Sequence, residues 1–96
     1  MRSFRLALAQ VNPTVGDITG NTKIVLERIE EAREYQADLV AFPELMLTGY
    51  PPEDLLLKAS FIRDNQSALA KVISAAKGIT VVTGFVDSVG NNIYNA

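Results

Sequence analysis

The chain has 96 residues, enough for one small domain. A hydrophobic fraction of 48% supplies a core and excludes the low-hydrophobicity, high-charge regime of disordered chains. The net charge of −2 leaves no basic footprint for nucleic acid or an anionic membrane, and the lack of cysteine and histidine excludes disulfides, zinc and iron–sulfur sites, and Ser-His-Asp or Cys-His catalysis within these residues.

The N-terminus, Met1 to Arg5, has no long apolar core and does not read as a secretory signal. Phe4 to Val11 then predicts a first strand. Phe4, Leu6 and Leu8 alternate with Ala7 and Ala9, which suits a strand largely buried on both faces. Asn12-Pro13 stops it. A loop through Gly20 leads to a helix over 21–36, with Asn21 as N-cap and Val25, Ile29 and Ala32 on its buried face. The acidic cluster Glu27, Glu30, Glu31 and Glu34, interleaved with Arg28 and Arg33, reads as its solvated side.

Asp38 to Phe42 predicts a buried second strand, ended by Pro43. A loop follows to about Ser60, within which Leu55-Leu56-Leu57 reads as one buried turn. Phe61 to Lys77 predicts a second helix, capped by Ser60, buried through Ile62, Leu69, Val72, Ile73 and Ala76, with Gly78 at C′. The β-branched run Ile79 to Val86 predicts a third strand, and Ser88 to Asn92 a turn. Ile93 to Ala96 starts a fourth strand, antiparallel to the third.

The order β-α-β-α-β-β predicts an α/β fold with a mostly parallel sheet and right-handed crossovers. There is no internal repeat and no domain boundary, so residues 1–96 read as one unit. A strand that stops at Ala96 leaves a sheet edge and a face uncovered, so the chain is expected to be a fragment, or to need a partner. No apolar run approaches the ~20 residues of a membrane span, and a cytoplasmic location is the expectation. Asn65-Gln66-Ser67 fits a glycosylation sequon, coincidental without a secretion signal.

The candidate for chemistry is Glu44. Ligands of open parallel sheets sit beyond the carboxyl ends of the strands, and Glu44 follows the second strand by two residues. Apolar neighbours Phe42, Leu45, Met46 and Leu47 would desolvate it partly and favour its neutral form, as a general base needs. An ordinary loop carboxylate is the competing reading. Tyr50, on the same loop, either lines a substrate pocket or packs its ring on Pro51-Pro52; from the residues alone, packing is preferred. Glu53-Asp54 offers two carboxylates to a cation, or is a solvated turn in which Asp54 caps Leu55-Leu57. The glycines show neither a Rossmann fingerprint nor a phosphate-binding loop.

The block from Ala41 to Leu57, with Phe42-Pro43-Glu44 and then Gly49-Tyr50, resembles the first catalytic block of the nitrilase, or carbon–nitrogen hydrolase, superfamily. Its longer form, Thr48-Gly49-Tyr50-Pro51-Pro52-Glu53-Asp54-Leu55, is similar to the glutaminase domain of the glutamine-dependent NAD synthetases. Leu8 to Asp17, Val82 to Phe85 and Tyr94-Asn95-Ala96 agree with that family in the flanks, so the resemblance runs over essentially the whole chain. It implies a four-layer αββα sandwich, of which this chain holds a helix layer and part of one sheet. It implies a Glu-Lys-Cys triad, in which Glu44 is the general base and the lysine and cysteine lie beyond Ala96. Lys58, Lys71 and Lys77 are outside the matching motif. Without a cysteine the chain alone is expected to be inactive.

The resemblance further implies glutamine as substrate and release of ammonia. A C-terminal synthetase domain would use ATP and magnesium, with no cofactor held in this segment, and the whole enzyme would be a homo-oligomer. A stand-alone amidase of the superfamily and a non-catalytic α/β interaction module are the alternatives.

Overall fold

The computed structural model describes residues 3–96. Three apolar runs pair as parallel strands, β1 (Leu6–Leu8), β2 (Leu39–Ala41) and β3 (Thr80–Val82), in the order β1-β2-β3. Leu6, Leu39 and Thr80 lie in register, as do Leu8, Ala41 and Val82. The crossovers carry helix α1 (Ile18–Glu34) and helix α2 (Ala59–Ala75), which pack on each other and, with strands in sequential order, lie on one face of the sheet. The α/β class and its parallel sheet are as the sequence predicts.

Strand pleating decides what this face buries. Ala7, Val40 and Val81 point toward the helices and join the core with Val25, Ile29, Phe61 and Val72. The opposite face carries Leu6, Leu8 and Val82, and Leu8 is 70% exposed. The first strand is therefore buried on one face only; small Ala7 and Ala9, not the larger residues, are the ones under α1 and α2.

Helix α1 begins earlier than its apolar stripe suggests. Asp17 is the N-cap, and its carboxylate accepts the Gly20 N–H at 3.0 Å. Asn21 lies inside the first turn, buried, with its amide bound elsewhere. On the outer face, Arg28–Glu31 and Arg33–Glu30 pairs one turn apart are solvated. Arg33 also reaches across to the end of α2, donating to the carbonyls of Ala75 and Lys77.

Helix α2 begins at Ala59 after Lys58, with no side-chain cap, so Ser60 lies within its first turn. Its buried stripe is Phe61, Asn65, Ala68 and Val72. Ile73 is exposed and Ile62 and Leu69 are half-buried. The stripe is rotated from the one predicted because its centre is polar: Asn65 is fully buried. The cap falls at Ala76, and Gly78 takes a left-handed φ of 74° two residues later. The leucines before this helix form a 3₁₀ turn (Glu53–Leu57) with no buried residue, Leu57 being 84% exposed; its N-cap is Pro52 rather than Asp54, and no side chain caps it.

The run from Ile79 to Val86 is not one strand. It breaks at Gly84, and a separate antiparallel hairpin follows, β4 (Val86–Val89) and β5 (Asn92–Asn95). Asn65 explains where the hairpin sits. Its side chain accepts the Val86 N–H at 3.2 Å and donates to the Val86 carbonyl at 2.5 Å, acting as a one-residue strand partner. The sequon asparagine thus has both amide atoms engaged in the core. No helix among the described residues is long and apolar enough to cross a membrane.

The open sheet face leads to a prediction. The 96-residue chain is expected to self-associate, and Leu8→Lys combined with Val82→Lys should shift it toward monomer in sedimentation velocity while leaving helical circular dichroism unchanged. A monomeric unsubstituted chain with one sharp unfolding transition would contradict this.

Candidate active site

At the carboxyl end of β2 the chain turns sharply through residues 44–48. Phe42 still follows the ladder, its N–H donating to the Val82 carbonyl at 2.8 Å. Leu45 then takes a left-handed φ of 47°, which costs a side-chain-bearing residue about 1 kcal/mol. The cost is offset by what the elbow buries: Leu45, Met46, Leu47 and Thr48 all turn into the protein. Glu44, one residue earlier, is left facing solvent.

Three contacts fix this elbow. Gly49 (φ 78°) closes it, donating to the Leu45 carbonyl at 2.9 Å. A Cβ on Gly49 would fall 2.6 Å from Val15 Cα, so only glycine lets the 12–16 loop lie against it. Buried Asn21 ties the same loop down: it accepts the Thr14 N–H at 2.8 Å and donates to the carbonyls of Thr14 at 2.8 Å and Leu47 at 3.1 Å. On the other side Gly84 lies against the Glu44–Leu45 peptide, where a Cβ would come within 2.2 Å of Leu45 N.

Glu44 is therefore placed by backbone contacts at a strand end, as the sequence predicts. Its setting differs from expectation. The apolar neighbours point inward and away from the carboxylate, so they do not enclose it. What meets it is Asn95 of β5, whose Nδ2 donates to Glu44 Oε1. Sequence reasoning did not single out Asn95 as a partner; the cue was its place in the motif Tyr94-Asn95-Ala96, but spanning 51 residues the contact has no local signal.

Tyr50 lies just past the elbow and is 63% exposed. Glu53 and Asp54 are exposed in the 3₁₀ turn, and the described residues contain no group of three or more His, Cys, Asp or Glu side chains placed to hold a metal ion. A cleft of about 540 Å³ lies between α1 and α2 among Asp17, Lys23, Asp64 and Lys71; neither Glu44 nor Tyr50 lines it. Its walls are formed by α1, α2 and the turn before α1, and it has no strand end to aim a group into it, so the chemistry is better sought at Glu44.

The carbon–nitrogen hydrolase family matches residues 5–96. A glutamine-dependent NAD(+) synthetase of Thermotoga maritima is 47% identical over 98 aligned residues, which take in 100% of this chain and 17% of the relative. The solved glutamine-dependent NAD+ synthetase of Acinetobacter baumannii superposes with a TM-score of 0.89 at 42% identity, over 98% of this chain and 18% of that one. An amidase from Nesterenkonia superposes with a TM-score of 0.81 at 26% identity, over 91% of this chain and 34% of that one. The chain thus spans about a sixth of the length of the curated relatives it matches.

The close approach at Gly84 predicts a ranking. Gly84→Ala drives a methyl into the Glu44–Leu45 backbone and should destabilise by roughly 2–3 kcal/mol. Gly78→Ala meets open space and should cost only about 1 kcal/mol, for its positive φ. Urea midpoints measure both; equal losses would show that the elbow yields.

Proposed function

Because this chain belongs to the carbon–nitrogen hydrolase family, we propose that it is the first part of a glutamine-hydrolysing domain of the kind that serves the glutamine-dependent NAD synthetases, with Glu44 as general base. The observation that carries this reading is the placement of Glu44. A carboxylate stands at the open carboxyl end of a parallel strand, on an elbow that buried groups and two glycine contacts hold rigid. The match of the whole chain at 47% identity supports the synthetase rather than another branch of the family.

In this reading a cysteine supplied by later residues attacks the side-chain amide carbon of glutamine. Glu44 accepts the thiol proton, and a lysine, also from later residues, stabilises the charge growing on the carbonyl oxygen. Glu44 returns the proton to the departing nitrogen as the C–N bond breaks, water then hydrolyses the thioester to glutamate, and the ammonia is consumed in the ATP-dependent amidation of nicotinic acid adenine dinucleotide. That amidation belongs to a C-terminal synthetase domain. In this reading ATP and magnesium are held by that domain and not by these residues, whose glycines form no phosphate-binding loop. Tyr50, exposed beside the elbow, would line the glutamine pocket. The uncovered sheet face with Leu6, Leu8 and Val82 is where a second sheet of an αββα sandwich would pack. A cytoplasmic location and a homo-oligomeric whole enzyme belong to the same reading.

A second reading, a stand-alone amidase acting on another small amide, is supported by the similarity to the Nesterenkonia amidase, at lower identity and TM-score. Substrate decides between them. In the full-length protein, Glu44→Gln should lower ammonia release from glutamine by roughly 10²–10⁴-fold, while NAD formation from added ammonia persists. Full glutamine hydrolysis by this variant would refute the base assignment; hydrolysis of aliphatic amides but not glutamine would favour the amidase. These 96 residues alone, having no cysteine, should release no ammonia.

A further inference from the structure

Glu44 is exposed on a rigid elbow, yet its side chain has its own torsions, and nothing in the elbow fixes them. The hairpin supplies what is missing. Phe85 and Ala96 exchange both backbone hydrogen bonds, at 2.9 and 3.0 Å, and the next pair is Val86 opposite Asn95. In an antiparallel ladder that pair is a non-hydrogen-bonded one, so its side chains stand close and its backbone groups point outward. The outward groups of Val86 are the ones Asn65 holds from within the core. A buried amide on α2 thereby sets the height of the hairpin, and the hairpin sets Asn95 beside Glu44.

An ionised carboxylate only accepts hydrogen bonds, so the amide nitrogen of Asn95 is the group that faces Glu44 Oε1. Among the described residues no cation forms an ion pair with Glu44. The choice of a neutral donor is chemically apt. An amide orients the carboxylate through one directed hydrogen bond without setting a cation against it.

We infer that Asn95 is a positioning residue, which holds one oxygen of Glu44 so that the other points to the proton it must accept. The inference rests on the role proposed above for Glu44. It assigns to the hairpin a part in the reaction, and to Asn65 the indirect part of setting the hairpin's height.

The test uses the full-length protein and four variants: Glu44→Gln, Asn95→Asp, Asn95→Ala and the double variant Glu44→Gln/Asn95→Ala. Asn95→Asp keeps the shape and removes the donor. The expected result is that each Asn95 variant lowers kcat for glutamine hydrolysis about tenfold or more, with KM for glutamine and ammonia-driven NAD formation nearly unchanged. In the Glu44→Gln background, loss of Asn95 should add nothing. Wild-type kcat in both Asn95 variants overturns the inference, as does a parallel fall in kcat, apparent glutamine affinity and thermal stability, which would make Asn95 a fold-holding residue only. If Glu44→Gln itself retains the wild-type rate, the failure lies with the role of Glu44, and the inference falls with it.

Discussion

The close approach of Gly84 to the peptide between Glu44 and Leu45 is the constraint on which the rest of this arrangement depends. Two backbone segments, one leaving β2 and one leaving β3, touch with no side chain between them. The contact stops β3 at Val82, because the chain must leave the sheet plane there. It fixes the direction in which the elbow departs, and so decides which residues turn inward and which single one faces out. It also starts the hairpin at Val86, within reach of both α2 and the elbow.

Two buried asparagines distribute that constraint through the fold. Asn21 links the first loop to the elbow, and Asn65 links α2 to the hairpin. Each satisfies backbone groups that no strand or helix pairs, which is why a polar side chain can be buried at those places at little cost. Asn65 uses its carbonyl oxygen and its amide nitrogen on the same residue, Val86, as a neighbouring strand would. Loss of either leaves a donor and an acceptor stranded in the interior, which costs more than the bonds themselves contribute.

Much of this was legible in the residues, and the exceptions have one cause. Alternation of strands and helices gave the parallel sheet, Pro43 marked the end of β2, and Glu44 stood where a strand-end carboxylate should. The motif around it pointed to the family. Missed were Asn21, read as a cap although Asp17 fills that place, and the buried stripe of α2, sought among isoleucines and leucines when its centre is Asn65. Gly84 looked like an ordinary residue inside a β-branched run. In each case the deciding partner lies far away in sequence: Leu47 for Asn21, Val86 for Asn65, the Glu44–Leu45 peptide for Gly84. Local patterning reports which side chains avoid water, and it cannot report which backbone groups need a partner. The same limit explains why Glu44 was expected among apolar neighbours that in fact turn their backs on it.

The parallel register of the sheet has a consequence in time. Each strand pairs with one roughly thirty to forty residues away, and the hydrogen bonds of β2 are shared with both neighbours. Closing loops of that length is entropically costly until the contacts they bring form, whereas the two helices and the β4–β5 hairpin need only local closure. Helices and hairpin can therefore flicker into being while the chain is still open, but the elbow acquires its shape only when β3 docks and Gly84 arrives. The Glu44 carboxylate would thus be among the last groups to be set in place, after most of the native helix has formed.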